Sequence, residues 1–204
     1  MPIPTIEDIK KTMGPYHGGI LSIVRGAWGE WREIHGLRIA AEMAPVLYRR
    51  TISNYVFDAI ARRAIPAFGS EPRVRVKVES QTFKLSFRGV VARFKKGGDD
   101  GLGCSIPTQA AMAFMAADGL LPGLPPETAK IEIIWRPNSI WTQLEGVFVV
   151  ARDGDSFLWE YEIEDAGEAG GAIPILSSPH SPQDPDGGDL VKPKVKPTDK
   201  PKEK

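Results

Sequence analysis

The spacing of apolar positions changes from a helical period to a strand period near residue 70. Thr5 and Asp8 have capping-box spacing, in which a hydroxyl accepts from the backbone three residues on while a carboxylate reaches back. A short helix is therefore expected from about residue 5 to 13, with Gly14-Pro15 ending it. From Ile20 onward, Ile20, Ile23, Val24, Ala27, Trp28, Trp31 and Ile34 keep i, i+3, i+4 spacing, which predicts one apolar helix face despite Gly26 and Gly29. Another helical stretch should begin near Leu37 and be divided at Pro45, because proline removes a donor and clashes with the preceding turn. Its later part, about 51–65, sets Ile52, Tyr55, Val56, Ala59 and Ile60 on one face and closes at Pro66 and Gly69.

Beyond residue 70, valines alternate with charges in Arg73-Val74-Arg75-Val76-Lys77-Val78-Glu79, and the alternation continues through Thr82–Phe87 and Val90–Lys95. The two-residue breaks Ser80-Gln81 and Arg88-Gly89 suit hairpins, so this segment reads as a three-stranded meander. Gly97–Gly103 is too glycine-rich for regular structure and reads as a flexible connection. Pro107 suits a first helical position, 109–118 contains good helix formers, and Gly119 offers a left-handed cap. Three more strands are expected at 130–136, 140–152 (bent near Gly146) and 156–164, joined by turns at 137–139 and Asp153-Gly154. The fold class is α+β: a helical N-terminal region over 1–68, then a βββ-α-βββ antiparallel body over 69–165.

Residues 166–204 form a third region. Seven prolines lie between Pro174 and Pro201, aromatic residues are absent, and the segment ends in lysine-proline alternation. Such a composition buries too little apolar surface to offset its ordering entropy, which predicts a disordered tail. The remaining roughly 165 residues suffice for one core. Cys104 is the only cysteine, so an internal disulfide framework is excluded and a reducing compartment is favoured. The N-terminus lacks signal-peptide character and no apolar run reaches membrane-spanning length, so the expected location is the cytoplasm.

Catalytic and cofactor patterns are missing. His17, His35 and His180 lack metal-ligand spacing, and neither a P-loop nor a GxGxxG turn is present, so no catalytic residue, metal or cofactor is assigned. The helix-βββ-helix-β order resembles that of restriction-endonuclease-like nucleases, but their acidic metal ligands have no counterparts on the second and third strands here.

Charge segregation is more informative, although the 26 basic and 26 acidic residues cancel. Between Arg73 and Lys96 the basic residues Arg73, Arg75, Lys77, Lys84, Arg88, Arg93, Lys95 and Lys96 face only Glu79, whereas the charges from Asp153 to Glu168 are all acidic. Two readings compete. The basic strands pair internally with the acidic last strand, or Arg73, Arg75, Lys77, Lys84, Arg93, Lys95 and Lys96 follow the phosphates of a nucleic acid. Trp28 and Trp31 read as core, with a partner-docking arm as the alternative.

The segments Arg93–Lys96, Ser105–Ala111, Leu120–Pro126 and Leu158–Ile163 resemble a set of uncharacterised bacterial proteins over roughly residues 50–163. Such proteins are encoded beside helix-turn-helix regulators and ImmA/IrrE-like metallopeptidases in mobile or defence-type loci. The resemblance implies a regulatory or accessory component of a toxin-antitoxin, stress or phage-defence system, and it supplies no catalytic residue; this chain lacks the peptidase HExxH. The expected function is a non-catalytic binding or regulatory protein with a protein partner. The alternatives are a nucleic-acid-binding protein and an enzyme whose site gathers distant residues such as His35, Asp58 or Glu79.

Overall fold

The capping box forms as expected: Thr5 Oγ1 accepts from the Asp8 amide at 3.2 Å and donates to Asp8 Oδ2 at 2.8 Å, opening α1, Ile6–Met13. The structure, a computed structural model, describes residues 4–79, 81–116, 121, 123, 125 and 128–164. Gly14-Pro15 ends α1 as expected, and a single 3-10 turn, Gly14–Tyr16, leads directly into α2, His17–Ala40. Leu37 belongs to α2 rather than to a new helix, because nothing between Ile34 and Ala40 breaks the turn and Gly36 is tolerated. Pro45 falls in the connection 41–48, where Glu42 takes a left-handed conformation (φ 52°). Helix α3, Arg49–Gly69, runs through Pro66. Arg62 and Pro66 are both exposed, so water can replace the donor that proline lacks.

The strands are β1 (Arg75–Glu79), β2 (Thr82–Phe87), β3 (Val90–Lys96), β4 (Ala129–Pro137), β5 (Leu144–Asp153) and β6 (Ser156–Glu162), with α4, Gln109–Met115, between β3 and β4. They form one six-stranded sheet in sequence order. All neighbours are antiparallel except β3 and β4, which run parallel in the register Arg93↔Glu132 and Phe94↔Ile133. The two expected meanders are therefore present and fused edge to edge. The expected bend near Gly146 is a β-bulge: Arg136 opposes Gly146 while Pro137 opposes Leu144, leaving Glu145 as the extra residue. Ile140 lies outside β5, in a turn where Asn138 Oδ1 accepts from the Thr142 and Gln143 amides. Residues 117–120 and the tail 165–204 lie outside the described residues, and with them the expected Gly119 cap and the expected disorder.

Strand alternation gives the sheet two different faces. Phe83, Leu85, Phe87, Val90, Ala92, Phe94, Ile131, Ile133, Trp135, Val147 and Val149 point toward α1–α3 and share one core with Ile9, Met13, Ile20, Ile23, Val24, Ala27, Val56, Ala59, Ile60 and Phe68. The other face carries Lys84, Arg93, Lys130, Glu132, Arg136 and Arg152. It is partly covered by α4, whose buried Phe114 lies 4.2 Å beneath the Arg93 guanidinium. Lys130 Nζ holds α4 in place by donating to the Ala113 and Ala116 carbonyls.

Candidate functional site

The seven basic residues singled out from the sequence do not form one exposed face. Arg73 precedes β1, because the Val74 amide bonds the Glu71 carbonyl in a turn that delays the strand to Arg75. Arg75 and Lys77 are exposed and share a face. Lys77 and Lys84 both reach Glu79, at 3.4 and 2.9 Å, which holds its carboxyl below the usual range although burial pushes it up. Arg93 is buried, donating from Nε and Nη2 to Glu132 Oε1 at 3.0 and 2.6 Å. Lys95, on the same face, has its ammonium pKa lowered by burial and then by Arg93. Lys96 points to the helical side, its Nζ 5.5 Å from the centre of the Trp141 ring.

Internal neutralisation does occur, with different partners from those expected. The sheet order puts β6 at the edge opposite β1, so the acidic strand cannot pair with β1–β3. Glu79 and Glu132 serve those strands instead. Glu160 of β6 takes Arg136 of β4, whose guanidinium crosses β5 over the Phe148 ring, 4.1 Å from its centroid.

Glu132 also fixes the glycine-rich loop. Its Oε2 accepts from the Gly103 amide at 3.0 Å and lies 3.6 Å from Arg152 Nη1. Gly97 and Gly103 form a bridge, the Gly97 amide donates to the Trp135 carbonyl, and the Gly98 amide to that of Leu102. The loop read as a flexible connection is thus tied to the sheet at several points. A Cβ on Gly103 would meet Glu132 Oε2 at 2.5 Å, so glycine is needed there for close approach rather than for mobility. Beside this loop an open cleft of about 580 Å³ is lined by Lys96, Asp99, Asp100, Arg136, Glu145 and Glu160 among others. It lies where β3 and β4 both end.

Glu79 does not converge with His35 and Asp58. His35 stacks on Trp31, with ring centroids 5.5 Å apart, and Asp58 lies on α3, while Glu79 occupies the sheet face away from those helices. His17 Nε2 bonds the Tyr161 hydroxyl at 3.1 Å; burial and then Lys10 lower its pKa, and burial raises that of Tyr161. Among the described residues no group of three His, Cys, Asp or Glu is placed to hold a metal ion, and no helix is long and apolar enough to cross a membrane.

Trp28 and Trp31 are 7% and 4% exposed, so the face expected as a possible docking arm is spent on the protein's own core. Trp28 lies against Trp135, with centroids 6.1 Å apart, and Trp31 against Tyr55 at 5.8 Å. The unpartnered surface lies just beyond them. Trp31 is the last buried residue of α2 and Val56 the first of α3, so residues 32–40, about 13 Å of helix, overhang the core. Around this end, Leu37, Ile39, Met43, Leu47, Tyr48 and Ile140 are between 53% and 80% exposed. Arg49 Nη2 donates to the Ser139 carbonyl at 3.0 Å, which joins the hairpin end to the turn carrying Ile140. Sequence reasoning missed this surface, although a signal was there: Leu37, Ile39, Met43 and Leu47 crowd around Pro45, which interrupts any single helix face that could bury them. The chain matches no protein-family model, no curated protein and no solved structure.

Proposed function

We propose that this chain is a binding protein that acts through protein–protein contacts, and that the end of the α2–α3 hairpin is its docking surface. The observation that carries this reading is the concentration of large exposed apolar side chains at the hairpin end and the adjoining turn, six of them together, while the others among the described residues, Val78 on β1, Ile106 before α4, Met112 on α4 and Phe157 on β6, are spread over other elements. Exposed apolar patches of several hundred Å² are uncommon on monomeric proteins and mark contact sites. Arg38, Arg49 and Arg50 flank the patch and give it the mixed apolar and guanidinium character of interface anchors. A regulatory or accessory role beside helix-turn-helix regulators is the setting suggested by the sequence resemblance.

The test is capture of partners by the tagged full-length chain with and without nuclease, comparing wild type with a Leu47→Asp, Tyr48→Asp double variant. Loss of a stoichiometric protein partner in the variant is expected. Retention of that partner would move docking to another surface. A second reading, nucleic-acid binding, draws on the exposed Arg73, Arg75 and Arg88 along the β1 edge. It requires nucleic acid to co-purify, to be lost steeply with salt, and to vanish in Arg75→Glu.

A further inference from the structure

We infer that the partner covering the hairpin end is a second copy of this chain. The inference rests on the protein-docking reading above and names its occupant. From their exposures, the six apolar side chains of the overhang offer roughly 700 Å² of accessible surface, close to the ~800 Å² that each partner contributes to a standard interface. One hairpin end laid across another therefore covers the patch on both copies without help from a third surface.

The charges suit a two-fold contact. In such an interface residue i meets j while j meets i, so a patch must carry both signs to match itself. Arg50 and Glu42 are both exposed at this end, and among the described residues neither side chain makes an ion pair or hydrogen bond within the chain. Glu42 is presented by a left-handed backbone position immediately after α2, a conformation that non-glycine residues adopt infrequently. Leu37 and Ile39 flank the buried stripe of α2 on opposite sides, so the apolar surface wraps the hairpin end. A crossing hairpin from another copy covers such a wrapped end where a flat partner surface cannot.

The experiment is sedimentation equilibrium of the full chain across micromolar concentrations. A species of twice 22.3 kDa is expected, with Leu47→Asp, Tyr48→Asp shifting it to monomer by at least tenfold in dissociation constant. Both side chains lie in solvent, and an unchanged far-ultraviolet spectrum and melting temperature show that the variant is folded. A wild-type chain that stays monomeric overturns the inference, as does a dimer that persists in the double variant. If the monomer still captures a different protein through Leu47 and Tyr48, the second-copy inference falls and the docking reading stands. If the double variant changes neither mass nor capture, both fall.

Discussion

Arg93 and Glu132 face one another across the parallel strand pair β3–β4, and the guanidinium gives two of its hydrogen bonds to a single carboxylate oxygen, at 3.0 and 2.6 Å. Both are buried, Glu132 completely. Removing one partner leaves an uncompensated charge in the interior, which costs about 3–5 kcal/mol. Glu132→Ala is expected to lower the urea midpoint accordingly. The pair Arg93→Met, Glu132→Leu should lose less than either single change, because Arg152 keeps the Gly103 and Gly154 carbonyls and Asp155. Additive losses would contradict this account.

Glycines in this chain divide by what a methyl group would meet. Gly103→Ala would drive Cβ to 2.5 Å from Glu132 and 2.8 Å from Lys95 Cβ, and an overpacked contact of this kind costs about 1–3 kcal/mol. Gly29 and Gly36 have nothing within 4 Å, so Gly29→Ala and Gly36→Ala should stabilise α2 by up to ~1 kcal/mol. Thermal melts of the three variants read both signs at once.

Glu30 ties α2 to α3. Burial alone would raise its pKa, but hydrogen bonds from Tyr55 (2.5 Å), Arg62 and Arg63 (both 2.6 Å) outweigh it and bring it down to about 2. A carboxyl depressed in the folded state gives its stability above its ordinary value near 4.5 and loses it as pH falls toward 2. With Arg62 largely in solvent, the contribution is about 1–2 kcal/mol. Glu30→Gln should therefore flatten the acid limb between pH 4.5 and 2, which denaturant midpoints at several pH values check.

His17 runs the same way at higher pH. Burial and Lys10 hold its folded pKa below 6.5, so the unfolded chain binds a proton more readily and stability declines as pH drops beneath that value. His17→Gln is expected to remove this dependence while costing some of the Tyr161 contact. Melting temperatures at pH 7.5 and 5.5 distinguish the two effects.

Local rules identified what local forces decide. Thr5 and Asp8 announced α1, and the valines from Val74 onward announced a meander, because capping and alternation are properties of a few adjacent residues. The parallel union of β3 with β4 was not legible, since either meander could have ended at a free edge. Nor was the partner of Arg93: on the sequence it is one cation among eight, and Glu132 lies 39 residues away. Charge counting suggested the acidic last strand because it could not see two strands in between. Trp28 and Trp31 drew attention as apolar helix face, while Leu47 and Tyr48, in the connection after Pro45, are the ones left in solvent.

The fusion of two meanders through one parallel pair also bears on how the chain folds. Hairpins β1–β2–β3 and β4–β5–β6 close over short turns and can form early, whereas β3 must find β4 across a connection of more than thirty residues, the slow kind of step. A slip of one residue in that search would send Glu132 into the apolar layer and turn Ile133 toward Arg93. Two charges that contribute little net stability as a pair thus act as a latch on registry, and their loss should show as slow or heterogeneous refolding in stopped-flow traces before it shows in the native fold.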